Sequence, residues 1–223
     1  MPAAKKRAKK TAVARVPPST SRTSSPASAK RVRAPAYESP LEADVAELVL
    51  AGRFGDAVAR TSHLVVRSET DLLVGAWVLR ALEAEDVHMT EDGRVHIARS
   101  MLALRPNASW KPHTAHGRRR FLARIKALET LARDARRRGT DLDQGLSWAE
   151  EATRLVLPYE DAGPFVTRAK ILDLLGRTEE AYAMAKIALD RNPDVLGLEE
   201  IRARPRFVRW LAKTKSSPRR ASA

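Results

Sequence analysis

"LLGRTEEAYAMAKIALDRNP", residues 174–193, sets small residues and a proline at regular intervals. Gly176 precedes Ala181 by five residues, Ala188 follows seven later, and Pro193 five after that. Glycine ends a helix at low cost because it enters the left-handed backbone region without a Cβ clash. Thr178 then stands where a side chain caps a second helix, with Glu179 and Glu180 in a first turn that favours negative charge. Ala181 falls where that helix crosses its partner, and bulk there would force the two apart. Ala188, two turns on, lies on the same face and turns it toward the next pair. Pro193 stops the helix. Ala169, seven residues before Gly176, is the small residue of the first helix.

The schedule recurs. "AGRFGDAVA" (51–59) carries Gly52, Phe54 and Ala57, with the same five-residue glycine-to-alanine step. "GTDLDQGLSWAEEATRLVLP" (139–158) places Gly145 and Ala152 seven apart, six residues before Pro158; its turn reads one residue longer, because Gly139 to Gly145 is six. "MLALRPN" (101–107) has the form of a repeat ending, although the preceding "EDVHMTEDG" departs from the pattern. The spacing resembles the tetratricopeptide repeat, a helix–turn–helix unit of about 34 residues. The small residues after the turn, Ala188-Leu189 late in the second helix and the closing Pro193 carry the resemblance, and Phe165 occupies the place of the family's large residue early in the first helix. It covers about 38–213. It implies an all-α superhelix of about four hairpins plus a capping helix, in which each hairpin buries its second face only by stacking on a neighbour. It also implies a groove that binds an extended peptide or a partner helix, with no chemistry of its own.

Composition agrees with a helical core. Of 223 residues, 43% are hydrophobic but only 5% aromatic, so Leu, Val, Ile and Ala must fill the interior. Ala, Leu and Arg are strong helix formers. With no cysteine there is neither a disulfide framework nor a thiolate zinc site. No apolar run reaches the roughly 18–20 residues that span a bilayer, and the basic N-terminus has no apolar segment of a secretory signal behind it. The default reading is a cytoplasmic protein, and heavy Ala and Arg usage fits a GC-rich bacterial genome.

The net charge of +14 is uneven. Residues 1–36 hold ten Lys/Arg and no acid; residues 108–139 hold ten against Glu129 and Asp134; the last eleven add Lys213, Lys215, Arg219 and Arg220. The remainder is acidic. Residues 1–36 have too little apolar surface to offset their ordering entropy and read as a disordered basic tail, as do 214–223. Between them, 37–213 is a run of amphipathic helices with no convincing strand. In a long one, "RRRFLARIKALETLARDARRRG" (118–139), Phe121, Leu122, Ile125, Leu128, Leu131 and Ala132 share a face, and Gly139 ends the helix.

Two function classes follow. The first is a non-catalytic interaction module whose groove takes a peptide or helix of an unidentified protein; an accessory subunit of a larger enzyme is compatible with it. The second is a nucleic-acid-associated protein. Lys5, Lys6, Arg7, Lys9 and Lys10, then Arg31 and Arg33, and Arg219 and Arg220 can neutralise phosphates and release counterions; "SPRR" (217–220) and "SPASAK" resemble linker-histone-type tails. Arg118, Arg119, Arg120 and Arg124 extend that surface, unless they are the solvated face of a packed helix. Trp110, beside Lys111, is either a packing residue or a stacking platform. An acid-free, Ser/Arg-rich N-terminus also fits a transit peptide, although it is Pro-rich and shows no amphipathic helix. His113 and His116 stand three apart but in a Pro-flanked loop without carboxylates. No Ser-His-Asp order, phosphate-binding glycine loop or HExxH motif is present. The expectation is no enzyme, no metal and no cofactor, with the oligomeric state open.

Overall fold

The computed structural model describes residues 37–84, 91–107, 110–157, 159 and 161–216. The basic stretches 1–36 and 217–223, and Pro158, lie outside them. The described residues form helices and loops only. In chain order these are α1 (Pro40–Leu50), α2 (Phe54–Arg60), α3 (Glu69–Ala84), α4 (Glu91–Ala103), α5 (Ala115–Arg138), α6 (Leu142–Val156), α7 (Gly163–Leu174), α8 (Thr178–Arg191), α9 (Glu199–Arg202) and α10 (Pro205–Ser216). The last helix runs three residues past the boundary expected at 213.

Helices pack as sequential pairs: α1 on α2, α3 on α4, α5 on α6, α7 on α8. A second regularity joins the pairs. The odd-numbered helices touch in succession, α1 to α3 to α5 to α7, and α2, α4 and α6 each touch the odd helix that follows. Among the described residues no comparable packing joins α2 to α4, α4 to α6 or α6 to α8.

The turn that opened the sequence reading is built from backbone geometry. Gly176 sits at φ +73°, its N–H donates to Asp173 O (3.0 Å), and the Arg177 N–H donates to Leu172 O (2.9 Å). This pair of bonds is the Schellman closure of a helix end. Gly52 repeats it at φ +72°, with Gly52 N–H to Val49 O (3.1 Å) and Arg53 N–H to Leu48 O (2.8 Å). In each turn the residue after the glycine is an arginine that bonds an acid three residues on: Arg53 Nε to Asp56 (2.7 Å), and Arg177 to both oxygens of Glu180 (2.7 Å each). Thr178 is therefore not the cap. Arg177 holds the N-cap position without a side-chain cap bond, and Thr178 is the first helical residue. At the other end of α8, Asn192 is extended (φ −145°, ψ 103°), as a residue before proline must be.

Ala181 and Ala188 are fully buried. Ala181 belongs to a buried cluster with Ile171 and Leu172 of α7, and Ala188 to a larger one that includes Phe165 and Ala169 of α7 and Leu198, Ile201 and Phe207 of the C-terminal segment. Ala57 and Ala169 are equally buried, and Phe54 packs half-buried against the first core. Phe165 is buried with the Arg191 guanidinium 4.6 Å from its ring. Gly145 belongs to no turn. It lies inside α6, where a Cβ would come within 2.8 Å of the Ala135 Cβ, so it lets α6 and α5 approach closely; Ala152 lies buried further along the same helix. Tyr182, Phe207 and Trp210 close the C-terminal end edge-on and stacked, with centroids 5.1–6.3 Å apart.

Candidate functional site

α3 is buried on most of its circumference, because α1, α2, α4 and α5 all touch it. Leu72, Leu79 and Leu82 face inward, each contributing about 1.5–3 kcal/mol by burial. One stripe stays partly open: Ala76, Trp77 and Arg80, above buried Leu73. Residues three or four apart share a helix face. The facing stripe on α5 follows the same rule: Arg119, Leu122, Ala123, Lys126 and Glu129. Together with Glu42 of α1 and Asp161 ahead of α7, they line a groove of about 430 Å³. Its floor is apolar. Trp77 is half-buried with the Arg80 guanidinium 5.6 Å from its ring, and Leu122 is 37% exposed. Leu122, placed by its periodicity in the core-facing stripe, instead fills the groove.

Ion pairs reach across the helices, and one of them, Glu42–Arg119, lies in the groove lining. Glu42 is fully buried; the Arg119 guanidinium binds it from α5, and its other oxygen accepts the Glu38 N–H (2.7 Å). Ser39 accepts the Glu42 N–H (3.0 Å) and so caps α1, while the Glu42 carboxylate joins that first turn to α5. Arg120 contacts Glu38 (2.8 Å) and Glu69 (2.6 Å), and Arg124 contacts Glu151 (2.8 Å) and donates to Leu104 O (3.2 Å). Three of the four arginines expected to meet phosphate or an acidic partner thus fasten α5 to α1, α3 and α6. Only Arg118 lies on the open surface, its guanidinium 5.2 Å from the Tyr159 ring. Nothing in the sequence adjacent to these arginines announces acceptors as far off as Glu38 and Glu151.

Trp110 is likewise internal. It is buried, edge-on to Phe121 (5.9 Å), and its indole N–H donates to Glu69 (2.8 Å). That bond, with lesser help from Asn107 and Arg120, holds the Glu69 carboxyl below the usual glutamate range against the opposing effect of burial. Glu129, at the lower end of the groove, behaves oppositely. Burial raises its carboxyl above the usual range, although Arg133 (3.2 Å) and Lys126 pull it down. It is wedged beneath the first residue of α7, where a Cβ on Gly163 would come within 2.9 Å of its Oε1.

Among the described residues no cluster of His, Asp or Glu has the geometry of a metal site, and no helix is long and apolar enough to cross a membrane. His113 is exposed in the loop before α5, and His116 contacts Glu38 through Nδ1 (3.0 Å). Lys5, Lys6, Arg7, Lys9, Lys10, Arg31, Arg33, Arg219 and Arg220 lie outside the described residues. Compared with family models, curated proteins and solved structures, the chain finds no significant match.

Proposed function

We propose that the chain is a non-catalytic interaction module of tetratricopeptide-like design, and that the groove of α1, α3 and α5 receives a peptide or helix of a partner protein. The observation that carries this reading is where the apolar surface lies. Trp77 and Leu122 are left open on consecutive odd-numbered helices, above a recess of about 430 Å³, within a rim of charge. Partly exposed aromatic and aliphatic anchors inside a polar rim are the usual composition of a binding patch. The packing order supports the same reading, since among the described residues the main helix-to-helix packing runs within pairs and between pairs adjacent in the chain, as in stacked repeats. The residues lining the groove include no Ser, Thr, Tyr, Cys or His, so it offers no hydroxyl, thiol or imidazole group for covalent or general-base catalysis.

Leu122→Glu tests it. The side chain is already partly solvated, so the melting temperature is expected to stay nearly unchanged. Peptides selected on the wild-type chain from a random display library should lose binding to the variant. Equal binding by the variant would contradict the reading.

The nucleic-acid reading draws support only from the charge of the tails, because Arg119, Arg120 and Arg124 are engaged within the fold. It predicts retention on heterologous duplex DNA that falls steeply with salt and disappears when residues 1–36 are deleted.

A further inference from the structure

The stripe of α5 that lines the groove does not end there. Continuing every third or fourth residue from Arg119, Leu122, Lys126 and Glu129, it reaches Arg133 and Arg136, which line a second recess of about 230 Å³ between α5, α7 and the loop 195–197. One face of one helix therefore serves both recesses, and Glu129 and Gly163 meet where they adjoin. From residue 119 to residue 136 the stripe is about 26 Å long at 1.5 Å per residue, the span of about eight extended residues.

The two recesses differ in charge. The first has an apolar floor and balanced charge, Glu42, Glu129 and Asp161 against Arg80, Arg119 and Lys126. The second is lined by Arg133, Arg136 and Lys170 with Val166 and Leu196 and no acid. Arg133 is neutralised by Glu83 (3.4 Å) and Glu129 (3.2 Å). Arg136 and Lys170 have no acidic partner within 4.0 Å among the described residues. Glu199, whose carboxyl also feels Lys170, is held mainly by backbone N–H groups, of Gly197 first. Gly197, at φ +90°, brings its backbone so near that a Cβ would stand 3.1 Å from the Lys170 Nζ. Beside these cations Leu196 is 83% exposed.

We propose that the partner segment is amphipathic along its length, with apolar side chains in the Trp77–Leu122 recess and acidic side chains at Arg136 and Lys170. The inference rests on the groove reading above and adds the chemistry and direction of the ligand. Charge complementarity selects an acidic peptide over a phosphate backbone. A polyanion following the whole stripe would lay charge over the apolar floor of the first recess, where Glu42, Glu129 and Asp161 offset Arg80, Arg119 and Lys126, whereas a peptide places its charge at one end only.

The test is selection of a random dodecapeptide display library on the full chain. Asp and Glu should be enriched toward one end of the selected peptides and Leu or aromatic residues toward the other. Charge reversal, Arg136→Glu with Lys170→Glu, should abolish the acidic enrichment and weaken a selected peptide at least about tenfold. The pair Arg136→Gln with Lys170→Gln gives the same direction where reversal disturbs folding. Selected peptides without acidic enrichment, but lost on Leu122→Glu, would overturn this inference and leave the groove reading standing. Affinity unchanged by either pair of variants would also overturn it. Retention of duplex DNA that depends on Arg136 and Lys170 would assign the cations to phosphate instead. A library that yields no binder removes the groove reading and this inference with it.

Discussion

The turn at Gly176 and the stripe of arginines on α5 are both unusual stretches of sequence, and they function on different length scales. At Gly176 every participant lies within a few residues: the left-handed glycine, the two closing backbone bonds, Arg177 on Glu180, and Ala181 against α7. The same arrangement appears at Gly52, in a helical pair far away in sequence. On α5, Arg119, Arg120 and Arg124 take their partners from Glu42, Glu69 and Glu151 on three other helices and from Glu38 just before α1. Local geometry makes the hairpins. Long-range charge pairing fixes which hairpin faces which, and it leaves Trp77 and Leu122 open between them.

The largest effect should come from the long-range side of that comparison. Glu42→Ala leaves the Arg119 guanidinium without its buried acceptor and frees the Glu38 N–H, and is expected to cost about 3–5 kcal/mol in denaturant unfolding. Replacing both partners, Glu42→Leu with Arg119→Met, should recover most of that loss. If it recovers none, Glu42 holds α1 through its bond to the Glu38 N–H rather than by the pair. Next in size is Ala181→Leu. Bulk at a fully buried contact between α7 and α8 should cost about 1–3 kcal/mol, and Ala188→Leu a similar amount against the C-terminal segment. An unchanged melting temperature for both would remove the close-packed hairpins from the account.

A smaller effect sharpens the comparison within the local side. Gly176→Ala and Gly52→Ala add a Cβ that meets nothing within 4 Å, so only the left-handed backbone is penalised. Each should cost about 1–2 kcal/mol, and the two costs should agree. Unequal values would show that one turn relaxes and the other does not. The smallest effect is at Glu129. Its carboxyl is raised by burial, so the folded chain binds a proton more tightly than the unfolded chain and loses stability as pH rises through the window above the ordinary glutamate range. Glu129→Gln should therefore gain slightly in thermal stability at neutral pH and lose that advantage in acid. A variant less stable at neutral pH would mean that the Arg133 contact outweighs burial.

Legibility in sequence followed the same division. Gly52, Gly139 and Gly176 as helix ends, the stop at Pro193, buried Ala181 and Ala188, and an all-helical fold are signals contained in short windows. The cap at Thr178 misled because the Arg177–Glu180 pair lies in the same turn and the backbone closure already sets the entry to α8. Gly145 was legible as a required small residue but not as a helix crossing, since only its proximity to Ala135 distinguishes the two. Leu122 fits the apolar periodicity of α5, yet periodicity cannot say where α1, α3 and α5 leave a gap. Trp110 reads as either a packing residue or a stacking platform, and the arginines as a surface, until Glu69, Glu38 and Glu42 are brought beside them. The groove as a set of residues could be assembled only from contacts between helices. Once it is assembled, its α5 stripe at 119, 122, 126, 129, 133 and 136 is plainly periodic.

The most direct measurement of the central claim is hydrogen exchange by mass spectrometry on the full chain, with and without a peptide selected from the display library. Added protection should fall on the odd-numbered row, over residues 73–80 of α3 and 119–126 of α5, extending to the segment around Lys170. Protection confined to α4, α6 and α8, or to the tails, would contradict the assignment of the binding face.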